Sequence, residues 1–232
     1  MSNWQHPAAP VQALIFDMDG TMIDSMGHHK QSWVAFAAHH GLDIEVGELM
    51  RRTTGRTVTE CMNELFQTVL APERNRELAQ HKEALYREAF GPVFREVAGF
   101  TEFAGRARAL GLKVGVGTAG DRHNIAFAFG HLQLPQAPHA VVGGDEGLPG
   151  KPEPAIFLEA AKRMGIRPEH CIVFEDAPFG IEAARRAGMR AVALCTSHRA
   201  EELTGPHVMA SVNNYLDLMN SGFLETLHVA TS

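Results

Sequence analysis

Five short apolar runs, nearly continuous rather than alternating, constrain this chain more than any other feature. Ala13 to Phe16, Val114 to Gly117, Ala140 to Val142, Ile172 to Phe174 and Ala191 to Leu194 are mostly β-branched, as strands are when a sheet is covered on both faces. Helical patterns lie between them and stop at glycine: Thr101 to Leu110 before Gly111, Glu153 to Met164 before Gly165, and Ile181 to Ala187 before Gly188. A glycine C-cap ends each helix, and the next strand starts a few residues later. The predicted core is a doubly wound, Rossmann-like α/β domain with a parallel sheet.

Such a sheet binds ligands just beyond the carboxyl ends of its strands. Most of the runs are followed there by a polar or acidic residue: Asp17, Thr118, Asp145, Asp176 and Thr196. Around these ends the chain supplies four carboxylates, Asp17, Asp19, Glu175 and Asp176, beside a lysine, Lys151, and a hydroxyl, Thr118. That set suits a magnesium ion and a phosphate.

The segment from about His28 to Phe90 departs from the alternation. It carries helical periodicity over His28 to His40, Val58 to Leu70 and Pro72 to Phe90, with no convincing strand. A block of helices inserted after the first strand is read as a cap domain, residues 28–91, on a core of residues 1–27 and 92–232. Gly27 and Gly91-Pro92 stand where hinges would, although such residues mark turns in any case.

At 232 residues with 45% hydrophobic and 21% charged, the chain can bury one good core and a small second domain. A formal charge of -6 with no Lys/Arg-rich block argues against nucleic acid or an anionic membrane as partner. The three cysteines, Cys61, Cys171 and Cys195, share no short spacing, so neither a disulfide framework nor a zinc knuckle is expected and a reducing cytoplasm fits best. No signal peptide or membrane-spanning run is expected, and a monomer or weak dimer is.

Phe16-Asp17-Met18-Asp19-Gly20-Thr21, Thr118-Ala119-Gly120, Lys151-Pro152 and Glu175-Asp176-Ala177-Pro178-Phe179-Gly180-Ile181 together resemble the four motifs of the haloacid dehalogenase superfamily. The likeness is greatest to its β-phosphoglucomutase-like branch, which includes small-sugar phosphatases such as the fructose-1-phosphatases, and runs from about Val11 to Met219. Two residues apart on an extended backbone, Asp17 and Asp19 point to the same side. One carboxylate can attack phosphorus while a second serves as acid and then base. The resemblance implies that Asp17 is the nucleophile and Asp19 the acid and base. It implies magnesium held by Asp17, by the Asp19 carbonyl and by Asp176, with Glu175 either a further ligand or a partner behind the ligands. A competing reading makes Glu175-Asp176 the cap of the following helix. Thr118 with the Ala119 and Gly120 amides would hold the phosphoryl oxygens, and Lys151 would join nucleophile to phosphoryl group.

Substrate choice is assigned to the cap. Arg56, in Thr54-Gly55-Arg56, has the planar fork to hold a second anionic or polyhydroxyl group. His29 and Trp33 follow Asp17 at a spacing similar to a histidine and a tryptophan at the cap entrance of the mutase branch. The competing readings make Trp33 core, with Phe36 and Ala37, and His29 one of 13 histidines on the surface. A receiver domain would lack both Asp19 and the helical insert; the dehalogenases and phosphonate hydrolases of the superfamily lack the second aspartate. The expected activity is magnesium-dependent hydrolysis of a small phosphate monoester, a sugar phosphate in the first instance, through an aspartyl-phosphate. Mutase-type phosphoryl transfer and a non-catalytic phosphate-binding protein are the alternatives.

Overall fold

The computed structural model describes residues 10–227. Six strands, β1 (Ala13–Phe16), β2 (Lys113–Gly117), β3 (Ala140–Val142), β4 (Cys171–Glu175), β5 (Arg190–Leu194) and β6 (Val208–Val212), form one sheet in the order β3-β2-β1-β4-β5-β6. Every pairing is parallel. The chain builds outward from β1 to β3, then crosses back to lay β4 on the other side of β1, so the topological switch lies between β1 and β4. There the helices diverge to opposite sides and leave a crevice. Phe16 pairs with Val116 and with Phe174, so Asp17 and Glu175 leave the sheet side by side.

Four helices intervene before β2: α1 (Met26–His40), α2 (Val46–Thr53), α3 (Val58–Phe66) and α4 (Pro72–Phe90). The rest are α5 (Phe100–Ala109), α6 (Arg122–His131), α7 (Ala155–Met164), α8 (Pro178–Arg186), α9 (Tyr215–Asn220) and α10 (Phe223–Thr226). Side chains alternate along β1: Leu14 and Phe16 face an aromatic layer with α5, α9 and α10. Ala13 and Ile15 face an alanine-rich layer with α7 and α8. The cap helices enclose a third cluster around Trp33, Phe36, Leu49, Met62 and Leu78. Only the end of α4 crosses over, Tyr86 and Phe90 joining the aromatic layer. The chain's exit to the cap and its return are zipped together, Asp24 N–H donating to the Arg95 carbonyl and Val97 N–H to that of Met22.

The five expected strands and the inserted cap are present. Several boundaries differ from the sequence reading. Gly27 lies in the first turn of α1 rather than in a connecting loop, and Gly91 opens a 3-10 turn, Gly91–Val93. Helix α3 stops at Phe66 instead of Leu70 because Gln67 turns left-handed; Asn63 Oδ1 then accepts from Leu70 N–H. Helix α7 starts at Ala155, two residues past Glu153, because Pro154 serves as its N-cap. Elements β6, α2, α6, α9 and α10 have no counterpart in the sequence reading.

Phe103 of α5 is fully buried and packs on Phe16, Phe174 and Tyr215 at ring-centroid distances of 6.4, 5.5 and 5.1 Å. Phe103→Ala should therefore cost about 3–5 kcal/mol in urea unfolding, the range for a buried aromatic that leaves a cavity. A loss under 1 kcal/mol would mean that the aromatic layer repacks freely.

Candidate active site

Asp17 sits one residue past β1, 6% exposed. Lys151 Nζ donates to its Oδ1 at 2.5 Å and to Glu175 Oε1 at 2.7 Å. The ammonium also lies 4.9 Å from the Phe157 ring centroid, so an apolar wall closes it off from water. Asp176 is adjacent and 1% exposed; Ser197 Oγ donates to its Oδ2 and Thr21 Oγ1 to its Oδ1. Gly20, at φ 78°, turns the chain against this carboxylate, and a Cβ there would collide with Asp176 Oδ2. Among the described residues Asp17 Oδ2 carries no hydrogen bond, and the Asp19 carbonyl accepts none from the backbone.

Three carboxylates share one ammonium. Burial pushes Asp17 up to about 8, against the opposing pull of Lys151. Asp176 is raised well above the carboxylate range by burial, then by the charges of Glu175 and Asp17. Buried carboxylates in this state are short of positive charge, and neighbouring oxygen donors suit a hard dication. Asp17, Asp176 and the Asp19 carbonyl supply such donors. Glu175 is committed elsewhere: Oε1 to Lys151, Oε2 to the Ala177 N–H at 2.7 Å. The helix-capping reading of Glu175-Asp176 is overturned, because Ala177 is the N-cap of α8 and no side chain caps it.

Asp19 lines the same cavity as Asp17, but its carboxylate is held from the cap side. Its Oδ1 accepts from Ser25 Oγ at 2.7 Å and Tyr86 Oη at 3.1 Å, and lies 3.1 Å from His29 Nε2. Burial alone would raise Asp19, yet His29, with Ser25 and Tyr86, outweighs it and holds the carboxyl below its ordinary value. His29 stacks on Tyr86 at 3.8 Å, and Lys82 Nζ meets its Nδ1 at 2.7 Å. An ammonium can only donate, so Nδ1 accepts and Nε2 is left to donate to Asp19. His29 is thus no surface histidine.

The cavity between cap and sheet measures about 90 Å³ and is lined by Asp17, Asp19, Thr118, Glu175 and Asp176 of the core motifs and by His29, Trp33 and Arg56 of the cap, while Lys151 reaches Asp17 from outside the lining. Thr118 is 1% exposed, and its Oγ1 accepts from Gly120 N–H at 3.0 Å. Ala119 and Gly120 precede α6, whose N-cap is Asp121. Trp33 packs in the cap core and also lines the cavity. Arg56 lies over the Phe179 ring at 5.1 Å. Gly55, at φ 91°, lets this loop approach Phe179, Ala177 and Lys151. Asp145 stands apart, paired with Arg122 at 2.8 Å. Thr196 braces the site from behind, donating to the Gly20 carbonyl.

Sequence reasoning missed Lys82, Glu83, Tyr86 and Asn124. Lys82 and Glu83 pair at 2.8 Å, both nearly fully buried, and Glu83 Oε2 accepts from Asn124 Nδ2 of the core at 2.6 Å. Their signal was faint: adjacent opposite charges on a helix usually lie in solvent. Cys61 also lines the cavity, its Sγ directed at the Thr53 and Arg56 carbonyls, and burial pushes its thiol up to about 12.

The model of the haloacid dehalogenase-like hydrolases matches residues 11–188. The chain belongs to that family. Among relatives of this haloacid dehalogenase-like hydrolase is the fructose-1-phosphate phosphatase YqaB of Escherichia coli, 35% identical over 182 residues, 77% of this chain and 94% of that protein. The validoxylamine A 7'-phosphate phosphatase of Streptomyces hygroscopicus subsp. limoneus is 31% identical over 84% of this chain and 91% of its own. The β-phosphoglucomutase of Clostridium difficile shares the fold, with a TM-score of 0.80 at 23% identity, over 94% of this chain and 97% of that one. The branch expected from the motifs is supported, and the chain is a phosphatase of the haloacid dehalogenase type. Among the described residues no helix is long and apolar enough to cross a membrane.

The raised carboxyls make a stability prediction. A group whose folded pKa exceeds its unfolded value stabilises fully at low pH, and that contribution fades as pH rises toward the folded pKa. For the cation-free protein, Asp176→Asn should therefore raise stability at pH 8 by on the order of 1–3 kcal/mol, the cost of an uncompensated buried group. The gain should shrink at pH 5; equal stability at pH 8 would show that Asp176 is already compensated.

Proposed function

We propose that this haloacid dehalogenase-like hydrolase is a magnesium-dependent phosphatase of small sugar phosphates that works through an aspartyl-phosphate at Asp17. The observation that carries the reading is the buried set of Asp17, Glu175 and Asp176 beside a single ammonium that pairs with the first two, with Asp17 Oδ2 unengaged among the described residues. Asp17, Asp176 and the Asp19 carbonyl would hold magnesium, whose charge would favour the ionised nucleophile and offset the phosphate's repulsion.

Asp17 Oδ2 attacks phosphorus as the bond to the leaving oxygen breaks, and Asp19 gives that oxygen its proton. Asp19 must first be protonated, and the hydrogen bonds from Ser25, Tyr86 and His29 oppose this. An arriving phosphate dianion is a like charge, which raises Asp19 and favours its acid form only when substrate is present. Asp19 then takes a proton from the water that hydrolyses the aspartyl-phosphate. Lys151 holds Asp17 in place and reaches the transferring phosphoryl group, while Thr118 and the Ala119 and Gly120 amides receive its oxygens. Gly120 N–H leaves Thr118 Oγ1 to do so.

Two relatives are named as phosphatases of fructose 1-phosphate and of validoxylamine A 7'-phosphate, and the cavity favours a sugar phosphate here. Its roughly 90 Å³ lies below the ~300–1,000 Å³ typical of drug-sized ligands. Lys82 is neutralised by Glu83, which leaves Arg56 as the cation without a carboxylate partner lining the cavity among the described residues. That supports a monophosphate with a hydroxyl-rich body. We assign the moving cap to residues 28–91.

The test is phosphate release from a panel of sugar phosphates and nucleotides with magnesium, together with β-glucose 1-phosphate assayed for glucose 6-phosphate. Formation of glucose 6-phosphate without free phosphate would replace hydrolysis by transfer. Asp17→Asn should abolish turnover and trapping of the phosphorylated protein while leaving the fold intact; near-normal turnover removes the assignment. Arg56→Ala should raise KM about 10-fold or more for the preferred sugar phosphate, as loss of a charged hydrogen bond does, and barely affect p-nitrophenyl phosphate. Equal losses on both would make Arg56 structural.

A further inference from the structure

The cap carries a second cluster of metal-binding side chains, outside the phosphatase cavity. His39 and His40 end α1, and His81 lies in the middle of α4, next to Lys82. One ring nitrogen from each comes within 4.8 Å of the others. We propose that His39, His40 and His81 form a site for a borderline divalent transition metal, zinc in the first instance, that clamps α1 to α4.

The geometry is close to what such an ion requires. Zinc bonds imidazole nitrogen at about 2.0–2.1 Å in a tetrahedron, which puts adjacent nitrogens about 3.3–3.4 Å apart. His40 Nε2 and His81 Nδ1 are already 3.1 Å apart. The three rings are inclined at 74°, 73° and 70° to one another instead of stacking, and one nitrogen of each stands within 4.8 Å of the others. Three protein nitrogens leave a fourth position for water, the usual count at an accessible zinc site.

The surroundings favour the neutral imidazole that a metal needs. Burial against Phe36, whose ring lies 4.4 Å from His40 and 5.6 Å from His81, leaves one side of the cluster dry. Burial, with the charges of His39, His81 and Arg74, holds His40 below its ordinary pKa. Arg74, the cation nearest in this set, is engaged by Glu77 at 3.1 Å. Imidazole suits zinc, copper and nickel, whereas magnesium selects oxygen, so this site and the carboxylates around Asp17 sort their ions by donor chemistry. A metal here acts on the active site only through helix position: α1 also carries His29 and Trp33, and α4 carries Lys82 and Tyr86.

The test titrates the full-length, metal-free protein with zinc chloride in excess magnesium, followed by calorimetry and by the visible absorption of the cobalt-substituted protein. One zinc per chain and a tetrahedral cobalt spectrum are expected. His81→Ala and His39→Ala, the latter at an exposed position, should each lose at least the ~10–100-fold in affinity that removal of even an outer partner costs a metal site. His123→Ala, also exposed, and Asp176→Asn should bind as the parent does. Absence of stoichiometric uptake, uptake retained in both His81→Ala and His39→Ala, or loss in Asp176→Asn in their place would each overturn the proposal.

Discussion

The ammonium of Lys151, fixed between the carboxylates of Asp17 and Glu175, is the contact on which the catalytic end of the sheet depends. Two unit charges at about 4 Å attract by about 4 kcal/mol at an effective dielectric of 20. Removing a single ion from water costs several kcal/mol even after relaxation. One lysine therefore cannot offset Asp17, Glu175 and Asp176 together, and the unmet remainder appears as the raised pKa of Asp17 and of Asp176. The fold tolerates the deficit because each acid is anchored by its neighbours: Asp17 by the β1 to β4 register, Glu175 by the Ala177 N–H, Asp176 by Ser197. Stability is given up here in exchange for a set of oxygen donors suited to a cation.

The second acid obeys a different control. Asp19 belongs to the loop after β1, yet two of the three groups that fix its carboxylate, His29 and Tyr86, come from the inserted helices. A continuous polar chain then runs from His29 through Lys82 and Glu83 to Asn124 of α6, where Arg87 closes it at 2.7 Å. Tyr86 and Phe90 root α4 in the aromatic layer of the sheet. Any displacement of α1 against α4 thus changes what Asp19 feels, while the Lys151 cluster, set entirely in the core, is left as it was.

What could be read from the sequence follows from these two controls. The doubly covered strands and the acids at their ends are local signals, since apolar runs and their next residues are adjacent in the chain, and Asp17, Thr118, Lys151, Glu175 and Asp176 gather as expected. The same logic overreached at Asp145, which follows a short edge strand and turns to Arg122. Strand β6, with exposed Ser211 inside it, and the short α9 and α10 lack the continuous apolar character on which the strand reading relied. Lys82, Glu83, Tyr86 and Asn124 were illegible for another reason. Their meaning comes from being buried together by elements distant in sequence, and single-helix periodicity assigns such charges to solvent.

The sulfur chemistry of the cavity is equally a product of burial. Cys61 looks into the space where substrate would sit, yet its thiol, like that of Cys171, is pushed up to about 12, and Cys195 is raised as well. Only the thiolate attacks peroxides and electrophiles at a useful rate. Burial therefore favours the protonated, less nucleophilic form of all three thiols, so a sulfur facing the cavity is kept from competing with Asp17 for an electrophilic substrate.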